Sequence, residues 1–145
     1  MSIDTPKDAE LTADECWTLL RSSSVGRLAV WVDDHPDIFP LNYVVDHGSV
    51  VFRSGAGTKV AAALTQAPVA MEADDYDADS HEAWSVVLKG NAEGIHEIDE
   101  LMDTLYLPIF PWQSGPKELF IRITPAQLTG RRFVVSDRAK WQRTP

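Results

Sequence analysis

The stretch from Ile38 to Leu64 constrains this chain most. Ile38 to Val45 is one β-forming run, Ser49 to Ser54 is a second, and Asp46-His47-Gly48 separates them. Two such runs around a glycine-containing turn predict an antiparallel hairpin over 38–45 and 49–54. Gly55 and Gly57 then allow a tight bend. Thr58 and Lys59 open an Ala-rich segment with high helix propensity, which predicts a helix from Lys59 to about Gln66, stopped by Pro68.

This stretch has the chemistry of a phosphate site. A helix start presents unpaired N–H groups and the positive end of its dipole. Ser54 and Thr58 add hydroxyl donors, Arg53 a planar fork and Lys59 a point charge. Gly-x-Gly-Thr-Lys lacks the leading glycine and the spacing of a Walker-A loop, so the expected ligand is a phosphorylated cofactor rather than a nucleoside triphosphate. The same residues also suit an ordinary hairpin, polar loop and surface helix. The residues alone leave both readings open.

At 145 residues the chain is expected to form one domain with a real core. A formal net charge of −9 argues against nonspecific nucleic-acid binding and against an anionic membrane surface. The single cysteine, Cys16, rules out an intramolecular disulfide and a multi-cysteine metal site. No apolar run is long enough to span a bilayer, and the start lacks a basic-then-apolar signal pattern. A cytoplasmic protein is the expectation.

Taken in order, residues 1–10 read as a flexible N-terminal tail, 11–136 as the domain and 137–145 as a C-terminal tail. Thr12-Ala13-Asp14-Glu15 has the capping-box pattern and predicts a helix over 13–21, with Cys16, Leu19 and Leu20 on its apolar face. Cys16 reads as a small core residue. Val25 to Val32 reads as a strand, and 33–37 as its turn. Val69 to Met71 opens another strand. Glu72 to Asp79 reads as a solvated acidic loop, because it lacks the Gly-centred spacing of a calcium loop. Ala83 to Lys89 reads as a strand that continues past Gly90, 99–107 as a short helix, and 108–116 as an irregular loop around Trp112. Glu118 to Thr124 alternates as a strand. Pro125 is expected to interrupt it, with 130–135 as a final short strand. Six or seven strands with short helices suit an antiparallel barrel or sandwich.

Several of these pieces together resemble a known family. Phe39-Pro40-Leu41-Asn42-Tyr43, the strand ending Phe52-Arg53-Ser54, and Gly57-Thr58-Lys59 resemble the flavin-binding signature of the pyridoxamine 5′-phosphate oxidase-like proteins. Val69 to Asp74 followed by Trp84-Ser85-Val86-Val87-Leu88-Lys89-Gly90 is similar to the same family. The resemblance implies a mainly β fold, a six-stranded antiparallel split β-barrel of Greek-key type with short flanking helices. It also implies a homodimer with flavin mononucleotide (FMN) at the subunit interface. Arg53, Ser54, Thr58 and Lys59 would hold the phosphate. Pro40, Leu41, Asn42, Val51 and Phe52 would lie along the isoalloxazine ring. Trp84 and Ser85 would approach from the partner subunit or line the cleft.

The function so implied is that of an FMN-dependent oxidoreductase acting on a small molecule, with a nicotinamide cofactor as a candidate electron donor. No catalytic acid–base pair, nucleophilic triad or metal set stands out, and Trp112, Arg131 and Arg132 receive no assignment. The chain's end, Arg138 to Pro145, lacks the Arg-x-His-type motif of the true pyridoxamine phosphate oxidases, which argues against that reaction. Three alternatives remain: a deazaflavin-dependent reductase, a flavin-binding module with little turnover, and a haem-handling relative, which would need His81 or His96 as axial ligand.

Overall fold

The computed structural model of the chain describes residues 8–54, 67–95 and 119–135. The helices expected over 59–66 and 99–107, the loop carrying Trp112, His96 and the C-terminal tail lie outside these residues. The described part is one helix and eight strands, all paired antiparallel. In chain order these are β1 (Asp8–Glu10), α1 (Ala13–Ser22), β2 (Val25–Val32), β3 (His35–Asn42), β4 (Val44–Asp46), β5 (Ser49–Ser54), β6 (Val69–Tyr76), β7 (Glu82–Gly94) and β8 (Leu119–Val134).

The sheet runs β3-β2-β6-β7-β8-β5-β4, with β1 added beside the far end of β8. Its first and last strands, β3 and β4, are consecutive in the chain and separated only by Tyr43. A sheet whose two ends join through one residue must curl back on itself, and the result is a half-open barrel. Two more strands appear than the six expected, because β1 and β4 are three-residue pieces.

Local chemistry explains most of these elements. Thr12 accepts from the Glu15 N–H at 3.2 Å, and the Glu15 carboxylate accepts from the Thr12 N–H at 3.0 Å, which completes the capping box. This bonding holds the Glu15 carboxyl below its ordinary value. Acids in the first turn and Arg21 in the last complement the helix dipole. β2 alternates, with Gly26, Leu28, Val30 and Val32 buried and Arg27 and Trp31 exposed. Its turn to β3 is shorter than expected. Asp33 and Asp34 both take positive φ (52° and 65°), the two-residue geometry that matches strand twist. Pro36 and Pro40 are tolerated in β3 because that strand is an end of the sheet path.

The expected hairpin forms, but its first strand breaks at Tyr43. There the chain leaves β2 and turns to pair with β5. The Tyr43 N–H donates to the Ser24 carbonyl at 3.1 Å, and its hydroxyl donates to the Leu20 carbonyl at 2.7 Å, closing the end of α1. Burial pushes the Tyr43 phenol above its ordinary value.

Glu72 to Asp79 is not a loop throughout. β6 continues to Tyr76, because Val69, Met71 and Ala73 alternate into the core while Glu72 and Asp74 point outward. Arg27 bridges these two carboxylates at 3.3 and 3.2 Å. Pro125 does not end its strand either. Ala126 is an extra residue opposite the Lys89/Gly90 step of β7, and this bulge absorbs the missing proline N–H. A side chain at position 90 would overlap the Thr124 carbonyl, so glycine is required there.

The core fills the concave face. Leu28, Val30, Met71, Val86, Leu88, Ile121, Ile123, Val50 and Phe52 line it, and Cys16 and Leu20 of α1 cover it. Each fully buried leucine or isoleucine contributes about 1.5–3 kcal/mol. Cys16 is buried as expected, and burial raises its thiol above the ordinary value. Asp8–Glu10 were expected in the tail, but they pair with Arg131–Phe133. No helix among the described residues is long and apolar enough to cross a membrane.

Candidate functional site

Asn42 ends β3 just before the break at Tyr43, and Arg53 lies on β5, with which the chain pairs after that break. Val44 pairs with Val51. Asn42 itself pairs with Val25 of β2, and β3 also approaches β5, the strand that carries Arg53. The side-chain oxygen of Asn42 is buried and has no hydrogen-bond donor among the described residues. An unmade bond at a buried polar atom costs about 1–3 kcal/mol, so this atom is a natural anchor for a ligand N–H or O–H group. Arg53 is level with Phe120 of β8, and its guanidinium carbon stands 5.5 Å from the ring centroid. Such a contact, worth about 0.5–1 kcal/mol, helps to orient the guanidinium.

The strand beneath this pair is braced. Arg122, level with Val51, donates to the Asp46 carbonyl at 3.2 Å and to the Asp46 carboxylate at 3.1 Å, and also to the Ser49 hydroxyl. Both charged side chains are largely buried, at 18% and 15% exposed. Ser49 donates to the same carbonyl, so its buried hydroxyl both donates and accepts. The exposed His47 of the turn lies 3.0 Å from the other Asp46 oxygen. This network fixes the β4–β5 hairpin from which Arg53 projects.

The other expected site residues divide by strand parity. Val50 and Phe52 face the core, so Phe52 has only its backbone to offer a ligand on the opposite face. Val51 is fully buried on the Arg53 side. Leu41 packs against the core, and Pro40 is exposed on the other face. Ser54 ends β5 opposite Leu119. Thr58 and Lys59 lie outside the described residues.

Trp84 and Ser85 are not near Arg53 in this chain. Trp84 is level with Arg132, and Arg53 is level with Phe120. Twelve residues of β8 separate those two positions, roughly 35–40 Å of strand path at the usual rise. Neighbouring strand residues also point to opposite faces. Trp84 packs against the core from the concave side, and Ser85 lies on the convex side, level with Asp74 and Arg131. Arg131 is committed to Asp8, with its Nε donating at 3.0 Å. Arg132 makes no hydrogen bond or ion pair among the described residues and lines a separate cavity beside Trp84.

Sequence reasoning did not single out Phe120, Arg122 or Asp46. Arg122 stands among the alternating apolar residues of β8, which was a usable signal. Asp46 and Phe120 carried none, because only strand pairing sets them beside Arg122 and Arg53. Among the described residues, no three His, Cys, Asp or Glu side chains converge to hold a metal ion.

The fold has counterparts among known proteins. Residues 12–132 match the family model described as pyridoxamine 5′-phosphate oxidase. The uncharacterized protein Rv0080 of Mycobacterium tuberculosis is 32% identical over 134 residues, covering 89% of this chain and 88% of that protein. A solved Corynebacterium glutamicum structure described with the same family name is 32% identical. Its TM-score is 0.79, and the match covers 94% of this chain and all of that one. A solved FAD-binding protein from Mycobacterium smegmatis is 36% identical with a TM-score of 0.78, covering 88% of this chain and 99% of that one. With its half-open barrel and with the family match running from the N-cap of α1 almost to the end of β8, the chain belongs to the pyridoxamine 5′-phosphate oxidase family.

Proposed function

We propose that this protein binds a flavin nucleotide at the Asn42–Arg53 end of the barrel and acts as a flavin-dependent oxidoreductase. The observation that carries the reading is the buried side-chain oxygen of Asn42, which has no donor among the described residues and sits at the end of β3, the strand that approaches the Arg53-bearing β5. One group accepts from a flat, polar-edged ring system, and the other pairs with a phosphate. Membership of the family and the likeness to the M. smegmatis FAD-binding protein support a flavin over other phosphorylated ligands.

A flavin supplies hydride and one-electron chemistry when bound. The chain's own residues position it. Arg53, Ser54, Thr58 and Lys59 hold the phosphate. Asn42 accepts from the ring edge, Pro40 and Leu41 border it, and Val51 with the Phe52 backbone forms the wall behind. Phe120 stiffens Arg53, and the Arg122–Asp46 pair stiffens the strand that bears it. FMN is the expected form. FAD is the second reading, favoured by the M. smegmatis relative.

The partner in this proposal is a second copy of the chain. Ser85 is too far along the sheet to meet the Arg53 group of its own subunit, so it reaches the cofactor across the interface. The convex face carries Trp31 and Ile38, 58% and 64% exposed, on neighbouring strands. Large apolar residues grouped in this way favour burial between copies.

The test is titration of the full chain with FMN, FAD and a deazaflavin, read by absorbance. Micromolar or tighter binding of FMN or FAD is expected. Arg53→Ala and Lys59→Ala should each weaken it by about 1.5–3 kcal/mol. Absence of flavin binding, or unchanged affinity in both variants, would overturn the assignment.

A further inference from the structure

At the end of the β6–β7 hairpin, far along β8 from Arg53, the chain forms a cavity of about 460 Å³ that lies apart from the Asn42 and Arg53 group of the same chain. Trp84, Tyr76, Asp75, Asp77, Glu82 and Arg132 are its chemically distinctive walls. Its volume lies within the usual range for small-molecule sites. The walls are held in place. The Asp77 N–H donates to the Glu82 carbonyl at 2.9 Å, and the Val135 N–H donates to the His81 carbonyl at 2.8 Å. The Tyr76 hydroxyl lies 3.3 Å from His81 Nδ1. Asp75 uses one carboxylate oxygen on the Tyr76 N–H at 2.8 Å, and Asp77 uses one on the Asp79 N–H at 2.9 Å. The second oxygen of each, and the whole Glu82 carboxylate, make no hydrogen bond among the described residues.

The lining therefore sets three carboxylates against one guanidinium, over a half-buried indole and beside a phenol. An anion would meet net repulsion here. A cation gains from the carboxylates and from the π-faces at once. We propose that this cavity is a second binding site, which takes a small organic cation bearing an aromatic ring. Its ammonium group lies among Asp75, Asp77 and Glu82, and its ring lies against Trp84. Arg132 sets the outer limit by repelling a second positive group.

The probe is benzyltrimethylammonium, titrated calorimetrically into the full chain at low salt, with benzoate as the charge-reversed control. Submillimolar binding of the cation is expected, with benzoate at least tenfold weaker. Asp75→Asn combined with Glu82→Gln removes two negative charges, keeps the oxygen that Asp75 offers to the Tyr76 N–H, and should weaken the cation about tenfold. Trp84→Phe preserves most of the packing and should weaken it a few-fold. Arg132→Ala should tighten it a few-fold. Failure to bind at millimolar cation, preference for benzoate, or weaker binding in Arg132→Ala would each overturn the proposal. Flavin titration of the Asp75→Asn/Glu82→Gln protein, which leaves every residue of the proposed flavin site intact, reads the other site separately, so the two readings fail independently.

Discussion

Gly130→Ala tests how α1 is seated on the sheet. A Cβ at position 130 would stand 2.6 Å from Cys16 Sγ, 3.0 Å from Leu11 Cδ1 and 3.3 Å from the Ser85 carbonyl. Ordinary contact begins near 3.4 Å, so the thiol is about 0.8 Å too close. It has nowhere to move, because Cys16 is fully buried. The helix cannot lift freely either. The Leu11 N–H donates to the Gly130 carbonyl at 2.9 Å, and Tyr43 holds the other end of α1 through Leu20. Overpacking of this kind costs about 1–3 kcal/mol, and the tethering puts the expectation near 2 kcal/mol. Cys16→Ala alone leaves a small void, at a cost of about 1 kcal/mol. In the double variant the new methyl occupies the space of the missing sulfur. Its loss should be about 1 kcal/mol rather than the sum of about 3 kcal/mol, a coupling of about 2 kcal/mol. Urea unfolding of the four proteins measures this, with unchanged m values as the condition for comparison. Additive losses, within about 0.5 kcal/mol, would refute the view that the cysteine sulfur limits how closely the helix approaches β8.

Two further outcomes follow from the charged clusters. Burial, with Asp74 beside it, pushes the Glu72 carboxyl up to about 7 despite Arg27. A carboxyl whose folded value is raised favours the protonated form. Its stabilising contribution is therefore full below about 4.5 and is lost as pH rises towards 7. Glu72→Gln should flatten the melting temperature between these values and raise it at pH 8. An unchanged pH profile would show that Glu72 ionises normally. Arg122→Ala leaves the Asp46 carboxylate and the Ser49 hydroxyl buried without their cation, and should cost about 3 kcal/mol in urea unfolding. Adding Asp46→Asn should recover part of the loss. A loss below about 1 kcal/mol would show that the network does not brace the hairpin.

Much of the fold was legible because its signals are local. The capping box at Thr12 and Glu15 sets the start of α1 to the residue. The alternation of Val25 to Val32 marks β2 with its observed bounds, and Asp46 to Gly48 locates the hairpin turn. Departures arise where a distant strand decides. Pro125 reads as a strand end, yet pairing with β7 on both sides of the Ala126 bulge carries the strand through. Glu72 and Asp74 read as a solvated loop, yet Arg27 on the neighbouring strand gives them a place in a sheet. Asp8 to Glu10 are too polar to announce a strand, and they become one only because β8 offers a free edge.

The same division runs through the candidate site. The sequence by itself determined the residue types on offer, a basic and hydroxyl-rich segment after a hairpin, and the family that carries this pattern. Residue type and short-range order suffice for that, because hydrogen-bonding capacity and turn geometry are properties of a few consecutive residues. Only the tertiary structure decided which groups share a space. It brought the Asn42 end of β3 near β5, placed Phe120 beneath the Arg53 guanidinium, and put Trp84 with Arg132 at the far end of β8. Those placements depend on strand register and on the curl of the sheet, which are fixed by pairings between residues many positions apart.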